Sequence, residues 1–565
     1  RKELEIPKNK SLFEGRFIIF KISKKNKTFE VWTDNYGRFD LYYSEDANQI
    51  YLSDSLKYIT KFKKFDFNQI SLTHSLSIYG SRPPKKHVIY NNVKRLSGDQ
   101  TLTFRNKIQI KEEKINFLET DQNFGKKELL DYYKYFIQSL KLKSSNNLNV
   151  ILLSSGWDST SILSGLRSFL PKKKLVAVIG RMKYAKRSGV INSFEIKRAK
   201  KMAKYYGIKL YIFDFNYQKN LKFLTKDFLT HLKDNQFFSW TAINHWNLIK
   251  FVKKKFGSKI KLFAGEISDG LHNLGFSQYV TIFHPNSYDF REYSDKMNSY
   301  LFGPTFFDNM LNDKIKDDPV FKYFRFLNND VIFEKLSKKK NLIKYQILSN
   351  FFLRQGRIPL YSIKNSKFIR FKKSQIYLRQ MEKDYFSKII NKLSPKTIYS
   401  IYNHLYCNFH WQGSTVNTLE NISKKFGLIC ELPFIDKNLV DLVSKMPEKF
   451  GRGLELNNTK FPLKWILRNK LDYPYHYQEG PHSYNYDVDR NFSHTSEVLY
   501  GSAFKKVFKD VLKKSKFIDR LSPKLFNISY MKFLINGYLK NKVFSGPDLN
   551  NLFSIALHSL ILYEK

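Results

Sequence analysis

The chain has 565 residues, 42% hydrophobic and 16% aromatic, a globular composition too long for one ordinary core. It carries 98 Lys and Arg against 50 Asp and Glu, a formal charge of +48 at pH 7, and only two cysteines, Cys407 and Cys430. These numbers exclude a disordered chain, a disulfide framework and a cysteine-based zinc site.

The chain opens on Arg1 instead of methionine and is read as starting inside a longer one, with no secretory leader visible. Over residues 16 to 60, RFIIFKI, TFEVWTD, LYYS and IYLSD alternate in strand fashion between Lys-Asn, Asp-Asn-Tyr-Gly and Glu-Asp-Ala-Asn turns. After a loop at Gly80-Ser81-Arg82-Pro83-Pro84, HVIYNNVKRL and QTLTFRNKIQI add further strand pieces. The N-terminal part is therefore expected to be an antiparallel hairpin series.

The spacing predicts a helix over 126–143. From about residue 146 strand NVILLSS is followed by helix STSILSGLRSFL, strand KLVAVIG, helix NSFEIKRAKKMAKYYG, strand KLYIFDF, a helical region and strand KIKLFAG. Alternating strands and helices imply right-handed crossovers onto a parallel sheet. Beyond about residue 280 the chain reads as mostly helical with long loops. Leu552 to Tyr563, interrupted by Ser554, His558 and Ser559, reads as a buried terminal helix and is too short for a membrane span. The fold class is α/β.

Residues 150–163, VILLSSGWDSTSIL, place an apolar strand, two serines, a glycine and an aspartate ahead of a helix. A loop at the carboxyl end of a parallel strand that opens a helix presents backbone N–H groups and the helix dipole to a phosphate. Ser154, Ser155, Gly156 and Ser159 are small enough to let the backbone approach one. Asp158 repels a phosphate directly but suits a Mg²⁺ that bridges to it. On the hexapeptide alone, a plain strand-to-helix turn with Asp158 as N-cap stands beside this reading.

The segment resembles the pyrophosphatase loop, Ser-Gly-Gly-x-Asp-Ser, of the adenine-nucleotide alpha-hydrolase-like ATP pyrophosphatases, with Ser155 at the first glycine. FAGEISDG, 263–270, looks like the Ser-Gly-Glu-Gly-x-Asp-Glu segment of the asparagine synthetase family; Gly265, Glu266 and Asp269 are in register, and Ala264, Ile267 and Gly270 depart. ELPFID, 431–436, followed by KFPLKWILRNKL, 460–471, is similar to that family's Arg-x-Pro-Phe-Leu-Asp and Lys-x-x-Leu-Arg segments. TDNYGRFDLYYSEDANQIYLSDSLKYI, 33–59, resembles the end of its glutaminase domain.

The resemblance implies an incomplete Ntn-type glutaminase domain over 1–120 and an ATP pyrophosphatase domain with a helical C-terminal part over 121–565. It implies ATP on Leu153, Ser154, Ser155, Gly156, Asp158, Ser159, Ile179 and Gly265, and Mg²⁺ on Asp158 and Asp269. Glu266 would assist the incoming amine, and Lys464 and Arg468 would stabilise the transferring phosphate. The implied reaction adenylates a carboxylate and then forms an amide with ammonia or an amine. The family's nucleophilic cysteine lies upstream of the 33–59 match and neither cysteine here is near it, so the amine donor is expected from elsewhere, from a partner for example.

Ile267, Gly270 and the LHNLGFSQY that follows point away from free aspartate, and a sugar carboxylate is the favoured substrate. Two other readings stand beside this one. A tRNA-modifying ATP pyrophosphatase would use a basic face on phosphates; a non-catalytic scaffold with a decayed site would account for Ser155, Ala264 and Gly270. The charge also suits a polyanion or an anionic membrane surface as partner. Few cysteines fit a reducing, cytoplasmic compartment. His410-Trp411 and Tyr473, Tyr475 and Tyr477 read as packing residues.

Overall fold

The computed structural model describes residues 13–563 apart from 47–48, 63, 79–81, 219, 276–290, 328–338, 353–366, 370–373, 411–415 and 479–492. Its first strands are β1 Ile18–Ser23, β2 Thr28–Thr33, β3 Tyr42–Glu45, β4 Ile50–Ser53, β5 Lys94–Arg95, β6 Gln100–Phe104 and β7 Ile108–Glu112. They form two antiparallel sheets, β1-β2-β6-β7 and β4-β3-β5. Val31, Leu41, Tyr43, Leu96 and Leu102 make a small core of their own there. The expected hairpin series is present, but HVIYNNVKRL is a strand only at Lys94–Arg95. Asn92 takes a φ of 61°, and Tyr90 makes an isolated bridge with Phe67. A left-handed asparagine turns the chain and ends the two-residue alternation a strand needs. Gly80 and Ser81 of the preceding loop, and Trp411, lie outside the described residues.

Buried ion pairs tie these sheets to the rest of the chain. Arg38 donates from Nε (3.0 Å) and Nη2 (2.7 Å) to Glu420 Oε1 on the helix Val416–Lys425. Within the N-terminal part itself, Asp40 is surrounded by Arg82, Lys85 and Arg95. Burial opposes the charge on Asp40, and the three cations outweigh it and hold the carboxyl well below its usual range.

The helix Lys126–Lys143 covers the predicted residues and starts with the Gly125 amide donating to Glu128 Oε2 at 2.7 Å. Then come β8 Leu148–Leu152, β9 Leu175–Lys183, β10 Lys209–Asn216, β11 Ile260–Phe263 and β12 Ile429–Glu431. All pair in parallel, in the order β10-β9-β8-β11-β12. Four of these strands follow the sequence reading. β12 does not, because three residues are too few for a periodic pattern to mark. Leu175 to Ile179 in β9 are buried without interruption, as a parallel strand covered by helices on both faces requires.

Counted along the chain from β8, the sheet runs third, second, first, fourth, fifth, the doubly wound arrangement whose winding reverses between the first strand and the fourth. A continuous main core runs from Tyr36 to Leu562 and includes the terminal helix Gly546–Ile561, buried from Leu549 onward on most of its faces. Both cysteines are buried in it and unbridged. Among the described residues no helix is long and apolar enough to cross a membrane.

Candidate active site at the reversal of the parallel sheet

Where the winding reverses, the loops after β8 and β11 cannot be covered by one crossover helix, so their carboxyl ends leave a crevice. The crevice here is a cavity of about 840 Å³, lined among others by Leu153, Ser154, Asp158, Ser159, Ile179, Gly265, Glu266 and Asp269.

The first loop leaves β8 through buried Leu153 and exposed Ser154. Ser155 is buried with a φ of 66°, a left-handed conformation that an L-residue enters at a cost of about 1–2 kcal/mol. The glycine that Ser155 replaces in the resembled pattern would pay little of this. Gly156 is the N-cap of the helix Trp157–Arg167 and supplies no side-chain cap, so no side chain of the cap covers the first-turn N–H groups. Asp158 lies inside that first turn. It is not the N-cap, and the plain-cap reading of the hexapeptide falls on that point.

The loop is braced from the C-terminal part. Gln478 Nε2 donates to the Ser155 carbonyl at 3.1 Å, and the Tyr473 hydroxyl lies 2.7 Å from Thr160 Oγ1. Trp157 stacks on Tyr473 and touches Tyr475, with centroids 6.0 Å and 4.9 Å apart, so these tyrosines do pack, and what they pack against is the loop helix.

The second loop crosses directly over the first. A Cβ at position 265 would stand 2.9 Å from Asp158 Cβ and 3.0 Å from the Ser159 amide nitrogen, a distance only glycine tolerates. Ile267 follows at a φ of 77° and caps the short helix Ser268–Asn273. A buried β-branched residue in this conformation is a backbone outlier, and such outliers gather at working sites. Gly270, the other departure from the resembled segment, has a steric reason: any side chain there would overlap the Tyr406 ring.

Asp158 and Asp269 are joined by a residue that sequence reasoning passed over. Lys460 Nζ donates to Asp158 Oδ1 at 2.8 Å and Oδ2 at 2.7 Å, and also pairs with Asp269 Oδ1. Its side chain is 9% exposed, against 20% for Asp158 and 32% for Asp269. Burial disfavours the ammonium, but the two carboxylates outweigh it and hold the Lys460 pKa above its ordinary value. The Asp158 carboxyl is also raised: burial and the neighbouring Asp269 together exceed the pull of Lys460.

Ser268 Oγ donates to Asp158 Oδ1 at 2.6 Å. Behind it, His272 sits between Ser268 and Tyr132, with Nδ1 2.8 Å from the Ser268 carbonyl and Nε2 2.9 Å from the Tyr132 hydroxyl. Burial, with Lys460 and Arg452, pushes the His272 pKa down to about 3, so it is a neutral support for the loop.

Glu266 lines the cavity beside these groups. Lys464 and Arg468 do not: Lys464 Nζ lies 4.9 Å from the Trp157 ring centroid, and Arg468 is exposed over Tyr475 at 4.7 Å. The cation on the carboxylates is thus Lys460, one turn before the lysine the motif selects. Its trace in the sequence is a second lysine four residues before Lys464, in a chain with 98 basic residues.

The chain matches no protein-family model and no curated protein. What the site can hold therefore rests on its own chemistry. Among the described residues no cluster of three or more His, Cys, Asp or Glu could hold a metal ion. Mg²⁺ needs no such cluster, since one or two carboxylates with substrate phosphates are its usual ligands. Asp158 and Asp269 already converge on one positive group, so the pair fits that role. The uncapped turn at Gly156 fits an anionic phosphate.

Proposed function

We propose that the protein is an ATP-dependent ligase that adenylates a carboxylate, releasing pyrophosphate, and passes the acyl group to ammonia or an amine. The observation that carries this is the meeting of Asp158, from the loop after β8, with Asp269, from the loop after β11, at the reversal of the sheet. A carboxylate attacking the α-phosphate brings two anions together, so the barrier is mainly electrostatic. The first turn of Trp157–Arg167 would take phosphate oxygens on its N–H groups. Lys460 would supply positive charge beside them, and Asp158 and Asp269 would hold the magnesium ion. When bound, that ion neutralises phosphate charge and orients the group being transferred.

Glu266, on the same wall of the cavity, would receive the proton or the ammonium charge of the incoming amine. Exclusion of bulk water once the substrates fill the cavity would favour the amine over hydrolysis. The three ordered sequence resemblances point to the same reaction type, and the altered Ile267, which lines the cavity, favours a sugar carboxylate over aspartate.

Calorimetry with Mg·ATP tests the reading. The wild type is expected to bind in a magnesium-dependent way and Asp158→Asn to lose that dependence. A screen of uronic acids and aspartate for pyrophosphate release then names the carboxylate. A folded wild-type protein that does not bind Mg·ATP would refute the proposal.

A further inference from the structure

We infer that Lys460 is a movable counter-ion: without nucleotide it holds Asp158 and Asp269 together, and it exchanges those carboxylates for phosphate when magnesium nucleotide enters. The consequence is that a metal ion alone does not bind this pair. The exchange half rests on the ATP-dependent reading above; the competition between Lys460 and a free metal ion does not.

The geometry is that of a clamp. Both oxygens of Asp158 and one of Asp269 are engaged by a single ammonium. A metal ion needs those same oxygens, so it must displace the lysine or go elsewhere. The charge balance points the same way. Among the described residues the cavity wall carries Asp158, Glu195, Glu266 and Asp269 and no Lys or Arg, in a chain whose net charge is +48. Without an internal cation these carboxylates would repel one another across a partly buried space.

Lys460 is also built to move. It is the N-cap of the helix Phe461–Asn469, with a φ of 54°, and its amide donates to Asn273 Oδ1 at 3.3 Å, so its backbone is fixed at the loop it serves. A lysine is a compact charge on a flexible four-carbon stem, and it can swing while that backbone stays still. A phosphate taken by the first turn of Trp157–Arg167 lies beside Asp158, which belongs to that turn. The same ammonium can then pass to the phosphate, and Ser268 Oγ remains as a donor to Asp158.

The test uses Mn²⁺ as the probe, with no nucleotide, and follows free ion by electron paramagnetic resonance. The wild type is expected to show no saturable site that depends on Asp269. Lys460→Met should gain one, at least about tenfold tighter than any wild-type binding, because one like charge has left the pair; Asp269→Asn in that background should remove it. Lys460→Arg should behave as the wild type. A wild-type Mn²⁺ site abolished by Asp269→Asn would overturn the inference, and that measurement needs no Lys460 variant to fold. Equal Mn²⁺ affinity in wild type and folded Lys460→Met would also overturn it. Failure of Mg·ATP to bind would overturn the functional reading and leave the Mn²⁺ result to stand by itself.

Discussion

Gly265 lies against Asp158 so closely that a methyl group at 265 would meet Asp158 Cβ at 2.9 Å. This close approach helps to set the two loops of the site, together with Ser268 and Lys460, and opening it is expected to shift the carboxylate. Gly265→Ala should cost about 1–3 kcal/mol of stability, the usual penalty of overpacking. It should weaken Mg·ATP binding more than it lowers the thermal midpoint. Binding unchanged in the alanine variant would mean that the loops move apart without moving Asp158.

Ser155 and Ile267 are both left-handed where the resembled patterns have glycine, yet their glycine variants should move in opposite directions. Relief of left-handed strain is worth about 1–2 kcal/mol, and the added freedom of glycine in the unfolded chain returns about 0.5–1 kcal/mol of that. The Ser155 hydroxyl is buried with no hydrogen-bond partner among the described residues, so its removal costs little. Ser155→Gly should therefore stabilise by about 0.5–1 kcal/mol. Ile267 is only 3% exposed, and losing its side chain costs about 2–5 kcal/mol, more than the strain relieved. Ile267→Gly should destabilise. Urea midpoints of the two variants decide it; the same sign for both would contradict this account.

Arg38 and Glu420 should be the strongest link between the N-terminal sheets and the rest of the chain. Both side chains are at most 2% exposed. Removing Glu420, which Arg16 also approaches at 3.5 Å, leaves the buried Arg38 guanidinium without that carboxylate, which costs about 3–5 kcal/mol. Glu420→Ala is expected to lower the unfolding free energy by that amount in denaturant titrations. A loss below about 1 kcal/mol, typical of a surface pair, would show that the pair relaxes into solvent.

Glu448 makes stability depend on pH. Burial, its largest influence, pushes the carboxyl up to about 7 from an ordinary 4.5. Hydrogen bonding to Thr305 works in the opposite direction, while Glu455 and Asp318 add to the rise. A raised folded-state pKa means that the folded protein keeps a proton the unfolded chain has lost. The contribution is complete below 4.5 and disappears as pH rises through about 7. Glu448→Gln should lose less stability than the wild type between pH 5 and 8, by on the order of 2–3 kcal/mol. Parallel profiles of thermal midpoint against pH would rule this out.

Much of the framework was legible in the chain because it rests on local chemistry. Four parallel strands, the helix Lys126–Lys143 and the hairpins of β1 to β4 follow from hydrophobic period and turn residues. HVIYNNVKRL misled because its apolar residues suit a strand while Asn92 takes a turn conformation. β12 was hidden because its pairing with β11 lies in distant sequence and in three residues only.

The sequence by itself determined the strand, loop and helix around Asp158 and the acidic loop at Glu266 and Asp269, since neighbours in the chain set propensity and period. Only the tertiary structure decided which cation meets those carboxylates. Lys460 and Asp158 are 302 residues apart, and no local pattern separates that lysine from the many others. The left-handed backbone at Ser155 and Ile267 was decided the same way, because the strain is set by contacts that close around the loops and not by the residues that bear it.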